Sequence, residues 1–311
     1  MEREFPLRFC KKNNNTITLL RGIIVRENHM NKVAIITDST AYLPPELITE
    51  YDIKVIPLEV IWDGDSYADG VDITPAQFYT RLEKSPSLPS TSQPPEAEFV
   101  SIFSELLNEG KDVVAILISS GISGTVNSAL QAKSEIGSDR VIVIDSKTAA
   151  MATGLHVLAA ARKAAVGGSL EEVKEVALKA QQHTNVVFAV DTLKFLHKGG
   201  RIGGAKRFLG SILNIKPILE MNGGLIEAVE SVRTQKRALE RLITLVEEKS
   251  AGDKPLRLAV FHSNVPAQAQ ALLKDAENAL SPDETFLAEL SPVIGTHVGP
   301  GTLAIAFMHG L

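Results

Sequence analysis

Three short apolar runs, Val33 to Thr37, Val113 to Ile118 and Val141 to Ile144, each end in a polar turn that leads into a helical stretch. Runs of this length without polar alternation suit strands buried on both faces. Strand, crossover helix and strand, repeated, dictate a parallel sheet with helices on both faces. The spacing predicts the crossover helices over Thr125 to Ile136 and Ala149 to Ala165. In such a sheet ligands sit outside the carboxyl ends of the strands. The turns Asp38-Ser39-Thr40, Ser119 to Thr125 and Asp145-Ser146-Lys147-Thr148 all lie at that edge.

The pattern changes at Gly167-Gly168. Ser169-Leu170-Glu171-Glu172 is a capping box that starts a new helix. A strand over Val186 to Val190 follows, then Lys216 to Met221, with Asn222-Gly223 as a hairpin turn into Leu225 to Val229. Helices over Thr234 to Lys249 and Ala267 to Leu280 alternate with strands over Leu256 to Phe261, Phe286 to Leu290 and Leu303 to Met308. Hairpins mixed with crossovers predict a mixed sheet, with helices on one face. The 311 residues suffice for two cores. The expected fold is therefore α/β with two domains: a three-layer, mainly parallel domain over 30–168 and a mixed-sheet domain over 169–311. Within the first, Pro57 interrupts a strand over Ile53 to Ile61 and marks an edge or bend. Thr74-Pro75-Ala76-Gln77 is a helix start, and Trp62 to Gly70 an acidic turn region.

Residues 1–29 do not resemble the remainder of the chain. They carry six Lys/Arg against three Glu, an Asn13-Asn14-Asn15 run and the single Cys10. The apolar stretch Ile17 to Val25 is too short to span a bilayer and contains Arg21. This leader is expected to be a disordered arm or a mis-assigned start, with Met30 the biological first residue. One cysteine excludes an internal disulfide framework and a cysteine metal cluster, and fits a reducing cytoplasm. A net charge of −5 gives no general attraction to nucleic acid.

Chemistry concentrates in four stretches. In Pro89-Ser90-Thr91-Ser92-Gln93-Pro94-Pro95 the prolines exclude helix, and three hydroxyls and an amide are delivered to the start of the next one. One cap needs one hydroxyl; here there are three. Ser119-Ser120-Gly121-Ile122-Ser123-Gly124-Thr125 has the placement of an anion cradle, yet lacks the Lys-Ser/Thr ending of a nucleotide loop. A carboxylate needs fewer donors than a nucleotide phosphate and suits it better. The glycines make Gly295-Thr296-His297-Val298-Gly299-Pro300-Gly301 an expected polar loop, which sets a histidine where the backbone permits close approach. No histidine pairs into a metal-ligand spacing. Thr192 to Lys216 holds six Lys/Arg and no Asp or Glu, a local basic patch suited to an acidic partner. Serines, His297 and Asp38 also admit an enzyme, either a hydrolase or a transferase acting on a small carboxylate, with His297 paired to a Ser or Thr. The nucleophile-elbow spacing is incomplete.

These motifs, together with Val33 to Thr40 and Lys198 to Ile202, occur in the order seen in the DegV family, which the chain resembles from Met30 to Leu311. The resemblance implies a two-domain protein that holds one long-chain fatty acid, such as palmitate, between its domains, without a cofactor or metal. It implies no catalytic residue of its own: a partner fatty acid kinase would phosphorylate the presented carboxyl group. Carried over by position, Thr91, Ser123 and His297 contact the carboxylate, with Ser92 and Gly124 beside them. Arg201, Lys206 and Arg207 resemble the docking surface for the kinase. Transient membrane contact is compatible with such a role.

Overall fold

The computed structural model describes residues 17–20, 23–26, 32–210 and 215–311. Strands β1 (Ile17–Leu20) and β2 (Ile23–Arg26) pair antiparallel, a local structure absent from the expected disordered arm. The rest of that expectation lies outside the described residues. β3 (Val33–Asp38) is buried along its length, and α1 (Pro45–Glu50) opens at the proline pair. Pro57 has no N–H to donate. It divides the expected single strand into β4 (Lys54–Ile56) and β5 (Glu59–Trp62), which join different sheets.

The acidic turn region holds β6 (Asp65–Ala68), and α2 (Pro75–Lys84) starts on the reciprocal Thr74–Gln77 capping box. The hydroxyl stretch forms β7 (Ser90–Ser92), which pairs antiparallel with β5. Next come α3 (Glu96–Asn108), β8 (Asp112–Leu117), α4 (Thr125–Ile136), β9 (Val141–Asp145) and α5 (Met151–Ala165). Strands β4-β3-β8-β9 form a wholly parallel sheet, with Val33 opposite Asp112 and Ile36 opposite Ala115.

α6 (Leu170–His183) opens on the Ser169–Glu172 capping box. Then come β10 (Thr184–Ala189), α7 (Lys194–Lys198), β11 (Lys216–Asn222), β12 (Leu225–Val232) and α8 (Gln235–Ser250). β13 (Leu256–His262), α9 (Pro266–Leu280), β14 (Glu284–Glu289), α10 (Pro292–Val298) and β15 (Leu303–His309) complete the chain. The second sheet runs β12-β11-β10-β15-β13-β14 and is mixed, with β13 and β14 its parallel pair. The histidine motif thus lies on a short helix, α10, where the glycines suggested a loop.

Burial sets the layers. One face of the parallel sheet (Ala34, Ile36, Val113, Ala115) packs on Phe99 and Phe103 of α3 and Ala129 of α4. The other face (Val33, Ile35, Val114, Ile116) packs on Leu155, Leu158 and Ala161 of α5. The same apolar cluster continues through α5 and α6 into Val186, Phe188, Ala304 and Ala306 of the mixed sheet. The far face of that sheet (Val187, Leu258, Ile305, Phe307) is covered by α8 and α9. The mixed sheet is therefore covered on both faces, not one, because α5 and α6 serve both sheets. Among the described residues, no helix is long and apolar enough to cross a membrane.

Packing around α5 leaves no room for an added methyl at Gly154, where a Cβ would stand 2.5 Å from the backbone oxygen of Ala41. A carbonyl of the main chain cannot step aside as a flexible side chain would. Gly154→Ala is expected to lower stability by about 1–3 kcal/mol, the range for overpacked cores. Urea unfolding checks it; an unchanged midpoint would contradict the shared-layer packing.

Candidate functional site

Where α5 begins, the two sheets lose the helix between them, and a cavity of about 810 Å³, its mouth included, occupies the gap. Its apolar wall comes from Val186, Phe188, Phe261 and Ala304 of the mixed sheet, Ala150 before α5 and Ile118 after β8. α10 closes another side with Val293, Ile294 and Val298. These residues come from many separate elements, so no local pattern could have announced them.

Apart from Thr302, whose hydroxyl donates to the Val298 and Gly299 carbonyls, the polar lining forms one continuous chain of contacts. Thr91, on β7, shares a 2.8 Å hydrogen bond between its Oγ1 and His297 Nε2. The His297 ring rests against Gly199, where a Cβ would stand 2.3 Å from Nδ1, so only glycine fits. The Gly199 carbonyl accepts from the Arg201 guanidinium at 2.7 Å, and Arg201 Nε donates to the Ile122 carbonyl at 3.0 Å. Ile122 adjoins Ser123, which stands at the entry of α4 with its Oγ 2.8 Å from Thr125 Oγ1. The chain closes through Gly124, whose absent side chain leaves room for Gln93. Thr91, Ser92, Ser123, Arg201 and His297 all line the cavity.

His297 is held neutral. Burial and then the field of Arg201 push its pKa down to about 4. A neutral imidazole carries one N–H. Nδ1 is enclosed and has no hydrogen-bond partner, and an unpaired buried N–H costs more than an idle lone pair. The network therefore assigns the proton to Nε2, which donates to Thr91 Oγ1. The Thr91 O–H is then free to donate into the cavity.

Three other motif hydroxyls are occupied. Ser119 Oγ donates to the Gly224 carbonyl at 2.7 Å, fastening the β11–β12 hairpin, and Ser120 Oγ donates to Asp145 at 2.5 Å. Ser92 Oγ donates to the Gln93 carbonyl at 3.2 Å. Arg201 departs from its expected place on a docking surface, because its bonds to two carbonyls turn it into the cavity wall. The positive φ of Gly200 (73°) allows that turn; the run of charges in the sequence did not reveal it. Lys206 and Arg207 remain exposed on the 3₁₀ turn Gly203–Phe208, away from the cavity. Nor is the basic run wholly unpaired: Lys216 forms an ion pair with Asp191.

A second recess, lined by Ser90, Lys198 and Thr296, adjoins the first and shares Thr91, Arg201 and His297 with it. Among the described residues, no cluster of three or more His, Cys, Asp or Glu could hold a metal. Nor does a carboxylate orient His297 through Nδ1, as a hydrolase triad requires.

Comparison with known proteins agrees with this architecture. A family model described as "Uncharacterised protein, DegV family" matches residues 32–310. The DegV domain-containing protein lin2658 of Listeria innocua is 38% identical over 277 residues, covering 89% of this chain and 98% of its own. A solved structure described as fatty acid binding of a DegV family protein, from Thermus thermophilus, superposes with a TM-score of 0.85 at 34% identity. It covers 89% of this chain and 99% of the other. DegV of Bacillus subtilis, described as a fatty acid binding protein, gives 0.81 at 35% identity, with 89% and 99% covered.

The enclosed ring gives a direct check. An NMR titration of His297 should show neutral imidazole down to about pH 5, with a transition near its pKa of about 4. Because the folded pKa lies below the unfolded one, the fold's share of stability from this group is lost as pH falls from 6.5 toward about 4. A midpoint near 6.5, the ordinary value for imidazole, would show the ring to be solvated.

Proposed function

The chain belongs to the DegV family, and from that premise we propose that it binds one long-chain fatty acid. The carboxylate lies at Thr91, Ser123 and His297, with Ser92 and Gly124 beside them, and the acyl chain along the apolar wall. The observation that carries this reading is a single cluster of hydrogen-bond donors in an otherwise apolar cavity between two sheets. Solved relatives described as fatty acid binding support it.

The energetics are coherent. A chain of about sixteen carbons gains about 0.8 kcal/mol per buried methylene, on the order of 10 kcal/mol before the costs of binding. A carboxylate leaving water must be hydrogen-bonded or paired. The Thr91 hydroxyl, freed by His297, and the Ser123 hydroxyl at the entry of α4 supply donors. Arg201 supplies a positive charge whose guanidinium is already committed to two carbonyls, so it does not clamp the carboxylate and leaves its oxygens reactive.

We read the protein as a carrier whose carboxyl group a partner fatty acid kinase phosphorylates in the cytoplasm. The adjoining recess, which shares Thr91, Arg201 and His297 with the cavity and adds Lys198, offers room and charge for a phosphoryl group. The uncoupled Nδ1 of His297 favours binding over a hydrolase. Lys206 is an exposed cation available for docking the kinase, and Arg207 beside it is exposed with its guanidinium bonded to the Ala228 and Val229 carbonyls. Transient contact with a membrane would supply the ligand.

Native mass spectrometry and solvent extraction of the purified protein should recover a long-chain acid. An empty protein that turns over a small carboxylate would replace this reading with an enzyme. Thr91→Ala or Ser123→Ala removes one donor to a charged group, worth about 1.5–3 kcal/mol, so affinity should fall about ten- to a hundred-fold by fluorescent-lipid displacement. Charge reversal at Lys206 and Arg207 should reduce acyl-phosphate formation with the kinase and leave the lipid content unchanged. Lost lipid in that folded variant would place these residues in the support of the cavity.

A further inference from the structure

Asp69 follows β6 in the region that reads from sequence as an acidic turn, and it is only 2% exposed. Its Oδ2 accepts from Ser39 Oγ at 2.7 Å and from Ser291 Oγ at 2.6 Å, and its Oδ1 from the Val293 N–H at 3.3 Å. Ser291 Oγ, having given its proton to Asp69, accepts from the Tyr42 hydroxyl at 2.8 Å. Ser39 Oγ likewise accepts from the Leu58 N–H at 3.1 Å. Donors therefore converge on this carboxylate from both parts of the chain.

Ser291 is the N-cap residue of α10, but its side chain makes no capping bond. Asp69, 224 residues upstream of Val293, accepts the first-turn amide instead. That same helix presents Val293, Ile294, His297 and Val298 to the cavity. Val293 and His297 are four residues apart and share a face, so a displacement of the first turn carries the imidazole with it. Close packing fixes the helix from the side as well: a Cβ at Gly295 would stand 2.6 Å from the Tyr79 hydroxyl. Asp69 itself is not in the cavity lining.

We propose that Asp69 is a positioning residue for ligand binding, which fixes the first turn of α10 from the other part of the chain and so holds His297 against Thr91. This rests on the fatty-acid reading of the cavity. The network as it stands needs the carboxylate: Oδ2 accepts from two hydroxyls and Oδ1 from an amide N–H. An acid proton or an amide NH₂ placed at Oδ2 would oblige Ser39 and Ser291, whose oxygens already accept from Leu58 and Tyr42, to turn their own protons elsewhere.

The groups facing Asp69 make it sensitive to acid. Asp38 at the end of β3 adds negative field, Tyr42 and Tyr79 are neutral, and Glu289 lies beyond Tyr79. No Lys or Arg pairs with Asp69 among the described residues. Burial, against these hydrogen bonds, raises its pKa to about 6. Because the folded value exceeds the unfolded one, protonation through that window favours the fold. Loss of ligand there would report the setting of α10, not unfolding caused by this group.

The test is palmitate affinity for wild type and Asp69→Asn at about pH 7.5 and about pH 5, bracketing the pKa of about 6. The ratio of the two affinities cancels the titration of palmitate itself. The variant should bind about ten-fold more weakly at the higher pH, and the ratio should shrink toward one at the lower. Its His297 imidazole resonances should shift at the higher pH. Equal affinities at the higher pH, or a ten-fold ratio that persists in acid, would overturn the proposal. A wild type that binds no palmitate at either pH would instead overturn the fatty-acid reading. If Asp69→Asn does not fold, Ser291→Ala takes its place. It should lose about three- to ten-fold in affinity at the higher pH with the same shift at His297, and undiminished binding would overturn the proposal.

Discussion

A helix packed between two sheets has no polar side to give to water, and α5 meets that constraint with small and aliphatic residues. Met151, Ala152, Leu155, Val157, Leu158, Ala160 and Ala161 are all buried, with Gly154 against the Ala41 carbonyl. Its one imidazole, His156, is held neutral, with a pKa pushed down to about 3 by burial. The shared layer joins the two sheets through one apolar cluster. It also decides where a cavity can exist: the space between the sheets is filled as far as α5 extends and left open beyond its first residue.

That position brings together two solvents for one ligand. The inner face of the mixed sheet offers Val, Phe and Ala, an alkane-like wall. The ends of β7, β8 and α10 offer hydroxyls and an imidazole at the rim. A carboxylate drawn from water into such a place needs donors already aimed at it. A histidine that stays uncharged aligns the Thr91 hydroxyl, and the nearby Arg201 supplies charge while its own donors are engaged elsewhere. Under the proposed reading, such an arrangement would hold an anion while leaving its oxygens reachable, as a carrier requires.

The sheets, the crossovers and both capping boxes were legible because each rests on local chemistry: apolar runs of strand length, Thr74 with Gln77, Ser169 with Glu172. Ser123 was legible at the carboxyl edge of the parallel sheet, but its joining with Thr91 and His297 in one cavity lining came only through the family resemblance. Thr91 lies on β7 of a separate antiparallel sheet and His297 on α10. Other features were not. Glycines and Pro300 made the His297 segment look like a loop, whereas its helix depends on Pro292 at the first turn and on packing against α2 and α7. Arg201 was counted with its charged neighbours, although its hydrogen bonds turn it inward. Asp69 lies in a stretch that reads only as an acidic turn; its partners Ser291 and Val293 lie more than two hundred residues later. The covering of the mixed sheet by α5 and α6 likewise depends on distant packing that no window of sequence contains.

The claim that a fatty-acid carboxylate sits among Thr91, Ser123 and His297 is most directly tested by ¹³C NMR of palmitate labelled at its carboxyl carbon. The account predicts one bound carboxyl resonance, distinct from free palmitate and moved separately by Thr91→Ala and by Ser123→Ala in folded protein. A bound resonance indifferent to both substitutions would place the head group elsewhere and contradict the account.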